Sequence, residues 1–251
     1  IFRCKYINSY LMIINTRPEA VSKKIIELCV QQEVECSHVH MSKIEFLSGT
    51  KKQQIHEEVV KNIHTFSNII FTSQASAKFG SELFNKNPKI LDSKQNFFSI
   101  GDATKKILID NGFKSITPSN KSSQGIIDTI KEKFPGKNLI FCGENSNMNL
   151  QNAFKENMNE VVCYKLIFDI NQLKDMPKSS AVILIYNFLT FEFIYKNLVG
   201  NLMENKSFVL ASERIKSEVS KIVEDTEILN KIYVSKSYMD EDMLEKAKDI
   251  I

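Results

Sequence analysis

Short apolar runs, each ending in small polar residues and followed by a stretch of helical period, recur along the whole chain. Leu11–Asn15, Val34–Met41, Ile69–Thr72, Phe97–Ile100, Asn138–Cys142, Glu160–Ile170, Val182–Tyr186, Phe208–Leu210 and Ile232–Val234 read as strands, and Ile116 ends a short further one. Several are continuously apolar, the pattern of strands covered on both faces. Between them the spacing predicts helices. The first starts at Thr16-Arg17-Pro18-Glu19, where proline suits the opening turn, and has Ile25, Ile26, Leu28, Cys29 and Val30 as its buried face. Others span Gln53–Ile63, Gln74–Phe84, Asp102–Asn111 with Gly112 as its stop, and Gln124–Phe134. Beyond Ser146 a helix runs to about Met158, and Phe191–Leu198, Ser212–Val223 and Glu241–Ile250 complete the series. Strand and helix in alternation predict an α/β fold with parallel sheets flanked by helices.

The strand ends carry the chemistry. Ile69-Ile70-Phe71 stops at Thr72-Ser73, and Phe97–Ile100 stops at Gly101 before Asp102-Ala103-Thr104. A weaker echo follows with Tyr186 before Asn187 and Leu210 before Ala211-Ser212. Hydroxyls and unpaired backbone N–H groups at a helix start form a ready anion site. Their presence in both halves predicts two similar lobes addressing one polyanionic ligand.

Composition narrows this. The apolar fraction is 43% and the charged fraction 25%, ordinary for a globular chain with a core. The net charge of +3 is mostly lysine, since Arg3, Arg17 and Arg214 are the arginines, and it does not demand nucleic acid. Cys4, Cys29, Cys36, Cys142 and Cys163 are odd in number and form no Cys-x-x-Cys pair, which predicts a reduced, cytoplasmic chain. No apolar run approaches the ~18 residues of a membrane-spanning helix. Tyr10–Ile14 is too short for a signal-peptide core, and Met12 is the expected start, with residues 1–11 an extension. Cys36, His38 and His40 share a strand face but lack a fourth ligand at usable spacing, so no metal site is expected. His56, His64 and the pair Lys51-Lys52 read as solvated surface.

Six segments stand in order along the chain: Ile13-Ile14-Asn15-Thr16-Arg17-Pro18-Glu19, Ile70-Phe71-Thr72-Ser73, Ile100-Gly101-Asp102-Ala103-Thr104 and Ser122-Ser123-Gln124-Gly125-Ile126-Ile127, then Gly136-Lys137-Asn138-Leu139-Ile140-Phe141-Cys142-Gly143-Glu144-Asn145 and Val161-Val162-Cys163-Tyr164-Lys165. With these segments in this order and spacing, the chain resembles the uroporphyrinogen-III synthase family over 12–251. The resemblance implies two flavodoxin-like α/β domains, one built from 1–40 with 169–251 and the other from 41–168. It implies a two-stranded β connector near 34–47 and 160–170, and a cleft between the domains. It also implies a monomer that closes linear hydroxymethylbilane to uroporphyrinogen III, with inversion of ring D and loss of water, using no metal or organic cofactor and binding neither membrane nor nucleic acid.

Such chemistry needs a proton donor for the leaving hydroxyl, a fold that holds the substrate's ends together, and exclusion of water. The resemblance assigns the donor to Tyr164. Arg17, Thr72, Ser73, Gly101, Thr104, Ser122, Ser123, Gly143, Asn187 and Ser212 are the expected substrate-binding set, helix-start amides contributing ~0.3–1 kcal/mol for each carboxylate held. The second lobe departs from the family pattern: Ile185-Tyr186-Asn187-Phe188-Leu189 stands for Phe-Thr-Ser-Pro-Ser, and Leu210-Ala211-Ser212-Glu213-Arg214 for Ile-Gly-Pro-Thr-Thr. Met239-Asp240-Glu241-Asp242 replaces a Ser-x-Glu-Gly-like segment, and Glu213, Glu241 and Asp242 are expected to repel carboxylates. The alternative is therefore a degenerate two-lobed binder of a polycarboxylate.

Overall fold

The computed structural model describes residues 12–91, 94–144, 146–198 and 201–250. Residues 1–11, with Arg3, Cys4, Tyr10 and Leu11, lie outside the described residues, as does Asn145 of the Gly143 turn. The chain divides into two compact units, 1–43 with 167–251, and 44–166. The strands in chain order are β1 (Met12–Asn15), β2 (Cys36–His38), β3 (Ser42–Phe46), β4 (Asn68–Phe71) and β5 (Asn96–Ser99), followed by β6 (Asn138–Gly143), β7 (Met158–Phe168), β8 (Ala181–Ile185), β9 (Lys206–Leu210) and β10 (Ile232–Val234).

The discontinuous unit holds one five-stranded sheet in the order β10-β9-β8-β1-β2, and every neighbouring pair runs parallel. Ile13, Ile14 and the whole of Val182–Ile185 are buried, which is why these strands show no polar alternation. Helix Lys23–Gln31 packs with Asp240–Lys248, and helix Phe188–Asn197 packs with Glu213–Val219.

The continuous unit holds the second five-stranded sheet, in the order β3-β7-β6-β4-β5. The pairs β4–β5, β4–β6 and β6–β7 are parallel. The pleat sends alternate residues to opposite layers. Ile69, Phe71, Leu139, Phe141, Val161 and Cys163 pack with Phe79, Leu83 and Phe84 of helix Gln74–Lys86. Ile70, Phe98, Ile140 and Cys142 pack with Ile126 and Ile130 of helix Ser123–Lys133 and Leu150 of helix Asn149–Phe154.

Several elements differ from the sequence expectation. Pro18 caps a single 3-10 turn, Glu19–Val21, and the α-helix proper begins at Lys23. That helix buries Ile25 and Cys29, whereas Val30 is 73% exposed because it lies about 100° round from Cys29. The extended run at 34–41 ends at His38, and β3 begins afresh at Ser42 in the other sheet. The helix expected from Gln53 starts at Gly49, whose φ of +61° suits glycine at the turn into it. Its polar first turn carries no apolar period to read. The helix after β6 stops at Phe154, where Lys155 takes φ +44°, and β7 starts at Met158. His56 is half-buried, its ring edge-on to Phe79 at 5.5 Å, and burial holds its pKa below the usual imidazole value. Lys52 is bonded to Glu82 at 3.0 Å, so neither residue is plain solvated surface.

Candidate active site

In a parallel sheet, ligands bind beyond the carboxyl ends of the strands where the winding reverses, because there the flanking loops part. In the continuous unit that point lies between β4 and β6: the helix after β4 covers one face and the helix after β6 the other. Thr72-Ser73 leaves β4 there, and Gly143 ends β6. Ser73 is the N-cap of helix Gln74–Lys86; its Oγ accepts from Ser76 N at 3.1 Å, and its own N donates to Ser76 Oγ at 3.0 Å. This reciprocal capping box fixes the Ser73 hydroxyl at the sheet edge.

Tyr164 reaches that hydroxyl from β7. Its phenol donates to Ser73 Oγ at 3.1 Å. The register explains how: Cys142 pairs with Val162, but Gly143 pairs with Tyr164, so Cys163 is an extra residue on β7. A bulge of this kind re-aims the side chain that follows it. The ring then lies over Gly143, where an added Cβ would sit 2.7 Å from Tyr164 Cζ. Gly143 is extended, so space rather than backbone freedom demands glycine. Tyr164 is mostly buried, and desolvation raises its pKa, with the Ser73 bond opposing; the phenol therefore keeps its proton at neutral pH.

The other expected residues of this unit stand at the same edge or one loop away. Thr72 Oγ1 donates to Phe141 O at 3.2 Å, tying the β4 and β6 ends together. Gly101 caps helix Asp102–Asp110 without a side chain, and Thr104 is buried in its first turn. Ser122 caps helix Ser123–Lys133, its Oγ accepting from Gly125 N at 3.1 Å, and Ser123 Oγ donates to Asn147 Oδ1 at 3.4 Å. The capping serines thus spend side-chain acceptors on their own helices, at ~1 kcal/mol of stability each. What they leave for a ligand is the remaining first-turn amides.

The equivalent point of the discontinuous unit lies between β1 and β8, and it is built differently. Arg17 Nη1 donates to Asp240 Oδ1 at 2.7 Å, the Tyr186 phenol donates to the same oxygen at 2.7 Å, and the guanidinium lies 4.1 Å above the Tyr186 ring. Asp240 is 4% exposed at the start of its helix. Burial, then the Asp240 charge, pushes the Tyr186 phenol far up. Thr16 Oγ1 donates to Leu184 O at 2.6 Å and His38 Nε2 lies 2.9 Å from Arg17 O, so the loop carrying Arg17 is pinned. Asn187 caps helix Phe188–Asn197, accepting from Thr190 N at 2.9 Å, and Ser212 accepts from Ile215 N at 3.4 Å. Arg214 is bonded to Glu218 at 2.9 Å. Two of the three acids expected to repel a ligand have partners: Glu241 pairs with Lys24 at 2.7 Å, which lowers its pKa, and Asp242 accepts from Ser237. The sequence reading missed Asp240 and Tyr186; a buried acid at a helix start opposite a lone arginine was the available signal.

A family model described as uroporphyrinogen-III synthase HemD matches residues 23–191. The chain belongs to this family. No curated protein sequence matches the chain. Among solved structures, the uroporphyrinogen-III synthetase of Helicobacter pylori is similar with a TM-score of 0.64 at 13% identity, covering 96% of this chain and 100% of that one. A mutant uroporphyrinogen III synthase of the extremely thermophilic bacterium Thermus thermophilus is similar with a TM-score of 0.62 at 11% identity, covering 95% of this chain and 98% of that one. At such identities the two structures speak for the shared fold, two parallel-dominated sheets flanked by helices, and the family membership rests on the matched segment. That segment contains Tyr164, Ser73 and Gly143 and stops short of Asp240. Among the described residues no group of three or more His, Cys, Asp or Glu is placed to hold a metal ion, and no helix is long and apolar enough to cross a membrane. Cys29, Cys36, Cys142 and Cys163 are free thiols.

Proposed function

We propose that the protein closes hydroxymethylbilane to uroporphyrinogen III, with Tyr164 as the proton donor to the departing hydroxyl. The observation that carries this is the buried phenol held over Gly143 and hydrogen-bonded to Ser73, at the strand-end crevice of a chain in the uroporphyrinogen-III synthase family. The mechanism follows from that bond. When substrate enters, the Tyr164 proton turns from Ser73 to the leaving oxygen. Ser73 Oγ, 3.2 Å from Ser76 Oγ, can then turn its own proton to the phenolic oxygen and stabilise the charge developing there. A positioned donor of this type contributes roughly 10²–10⁴-fold in rate. Departure of the protonated hydroxyl as water leaves an electrophilic methylene conjugated with the first pyrrole, and the Tyr164 phenolate takes back a proton as the ring closes. Attack from the substituted carbon of the last ring gives the spiro arrangement from which that ring inverts. Helix-start amides beyond Thr72, Gly101 and Ser122 take the substrate's carboxylates, and exclusion of water stops the simple closure to the symmetric isomer.

Finer features belong to the same reading. Each unit is a flavodoxin-like domain, consistent with the order β2-β1-β8-β9-β10 in the first, and the extended crossings near 34–47 and 160–170 serve as a connector. The protein works as a cytoplasmic monomer on a small molecule, without metal, organic cofactor or nucleic acid. Arg17 contributes a carboxylate contact through the part of its guanidinium that Asp240 leaves unused. The degenerate-binder alternative is disfavoured, since the departures from the family pattern fall away from Tyr164, Ser73 and Gly143. The test is to supply hydroxymethylbilane to the purified protein and separate the isomers of the oxidised product. Type III in excess of the protein-free control is expected; type I alone would retire the proposal.

A further inference from the structure

We propose that Lys51 binds a substrate carboxylate in a one-ring subsite beside Tyr164, an inference that rests on the function proposed above. A cavity of about 320 Å³ lies where the start of helix Gly49–Asn62 meets β3 and the end of β7, and Phe46, Lys51 and Tyr164 all line it. That volume is at the lower edge of the ~300–1,000 Å³ of small-molecule sites, room for one substituted pyrrole and not for a four-ring chain. Phe46 and Tyr164 meet edge to face with centroids 6.4 Å apart, giving a flat ring an aromatic wall that carries the donor phenol.

The four charged side chains around the cavity balance, and Lys51 is the cation left for a ligand carboxylate. Glu45, Glu144, Lys51 and Lys165 line it. Lys165 is bonded to Glu45 at 3.0 Å and also feels Glu144, and both acids raise its pKa. The two acids therefore share one ammonium, and Lys51 has no hydrogen-bond or ion-pair partner among the described residues. Its side chain follows directly on Ser48-Gly49-Thr50, a helix start with no side-chain cap. A pyrrole carrying an acetate and a propionate matches this arrangement, its ring on the aromatic wall and one carboxylate on Lys51. Such a seat holds one end of the substrate next to the group that protonates its leaving oxygen.

The experiment compares Lys51→Gln and Lys51→Arg with the unaltered protein on hydroxymethylbilane. Loss of one charge-assisted bond predicts a KM about tenfold higher for Lys51→Gln with kcat little changed, and a KM close to the original for Lys51→Arg. An unchanged KM in Lys51→Gln, with the unaltered protein still making the type III isomer, overturns the inference and leaves the proposed function standing. If the unaltered protein makes only type I, the function fails, and the subsite is then judged by titrating a monopyrrole bearing one acetate and one propionate. Weaker binding by Lys51→Gln than by the unaltered protein supports the subsite; equal binding, or none by either, overturns it.

Discussion

The two units present the same kind of strand-end crevice and furnish it with opposite chemistry. In the continuous unit the crevice between β4 and β6 is lined by neutral hydroxyls, Tyr164 donating to Ser73 at 3.1 Å over the flat surface of Gly143. In the discontinuous unit the crevice between β1 and β8 is filled by an ion pair, Arg17 to Asp240 at 2.7 Å, with Tyr186 bonded to the same oxygen. Both have a tyrosine, yet the two phenols do different things. Tyr164 is held by a hydroxyl that can give back a proton, so its own is available for transfer. Tyr186 is locked onto a carboxylate beside a guanidinium, and its proton completes a buried network. On the proposed function one crevice serves proton transfer, while the other is braced by its buried ion pair.

Tyr164→Phe separates the two roles most sharply. It removes the donor but keeps the ring, so turnover is expected to fall by ~10²-fold or more while the melting temperature stays within a few degrees. Gly143→Ala tests whether the position of that ring matters. The new methyl would lie 2.7 Å from Tyr164 Cζ, so the ring must move. Overpacking of this kind costs about 1–3 kcal/mol, measurable by urea unfolding, and turnover should fall roughly tenfold as the phenol leaves Ser73.

Asp240→Ala should behave the other way round. It leaves Arg17 and the Tyr186 phenol without their shared acceptor, and since Arg17 is 17% exposed the loss is expected near the lower end for broken buried pairs, about 2–3 kcal/mol in chemical unfolding. Turnover at a temperature where the variant is folded should change by less than a few-fold. A Tyr164→Phe-like collapse of turnover in Asp240→Ala would erase the contrast between the units. The smallest expected effect is at Glu82, whose carboxyl is held down to about 2 by bonds from Lys86 and Lys52. A depressed carboxylate stabilises the fold above its unfolded value near 4.5, and that stability is lost as pH falls through about 2. Because the side chain is 45% exposed, the contribution is below about 1 kcal/mol, and Glu82→Gln should flatten the acid limb of the stability curve only by that amount.

Much of the continuous unit was readable from sequence because its signals are local. Ile69-Ile70-Phe71 is apolar throughout since both sheet faces are covered, and Ser73 follows it directly as a cap. What could not be read there is relational: a one-residue bulge at Cys163 decides that Tyr164 overlies Gly143, and nothing in the composition of β7 announces it. Lys51 and Lys52 read as solvated surface because their helix turn is polar and without period, and Glu82, the partner of Lys52, is thirty positions away. In the discontinuous unit the decisive contact joins Arg17 to Asp240 across 223 positions, a separation that no local pattern reports. Val30 fails for a simpler reason, since an apolar run longer than the buried stripe of a short helix leaves one member facing water.

The central claim is that the Tyr164 phenol protonates the leaving group, and the pH dependence of type III formation in single turnover tests it most directly. Because burial raises this phenol above its usual value of 10, the rate should hold to about pH 10 and fall only beyond it, and in Tyr164→Phe the small residual rate should lose that alkaline limb. A limb well below pH 10, or one that persists unchanged in the phenylalanine variant, would contradict the assignment.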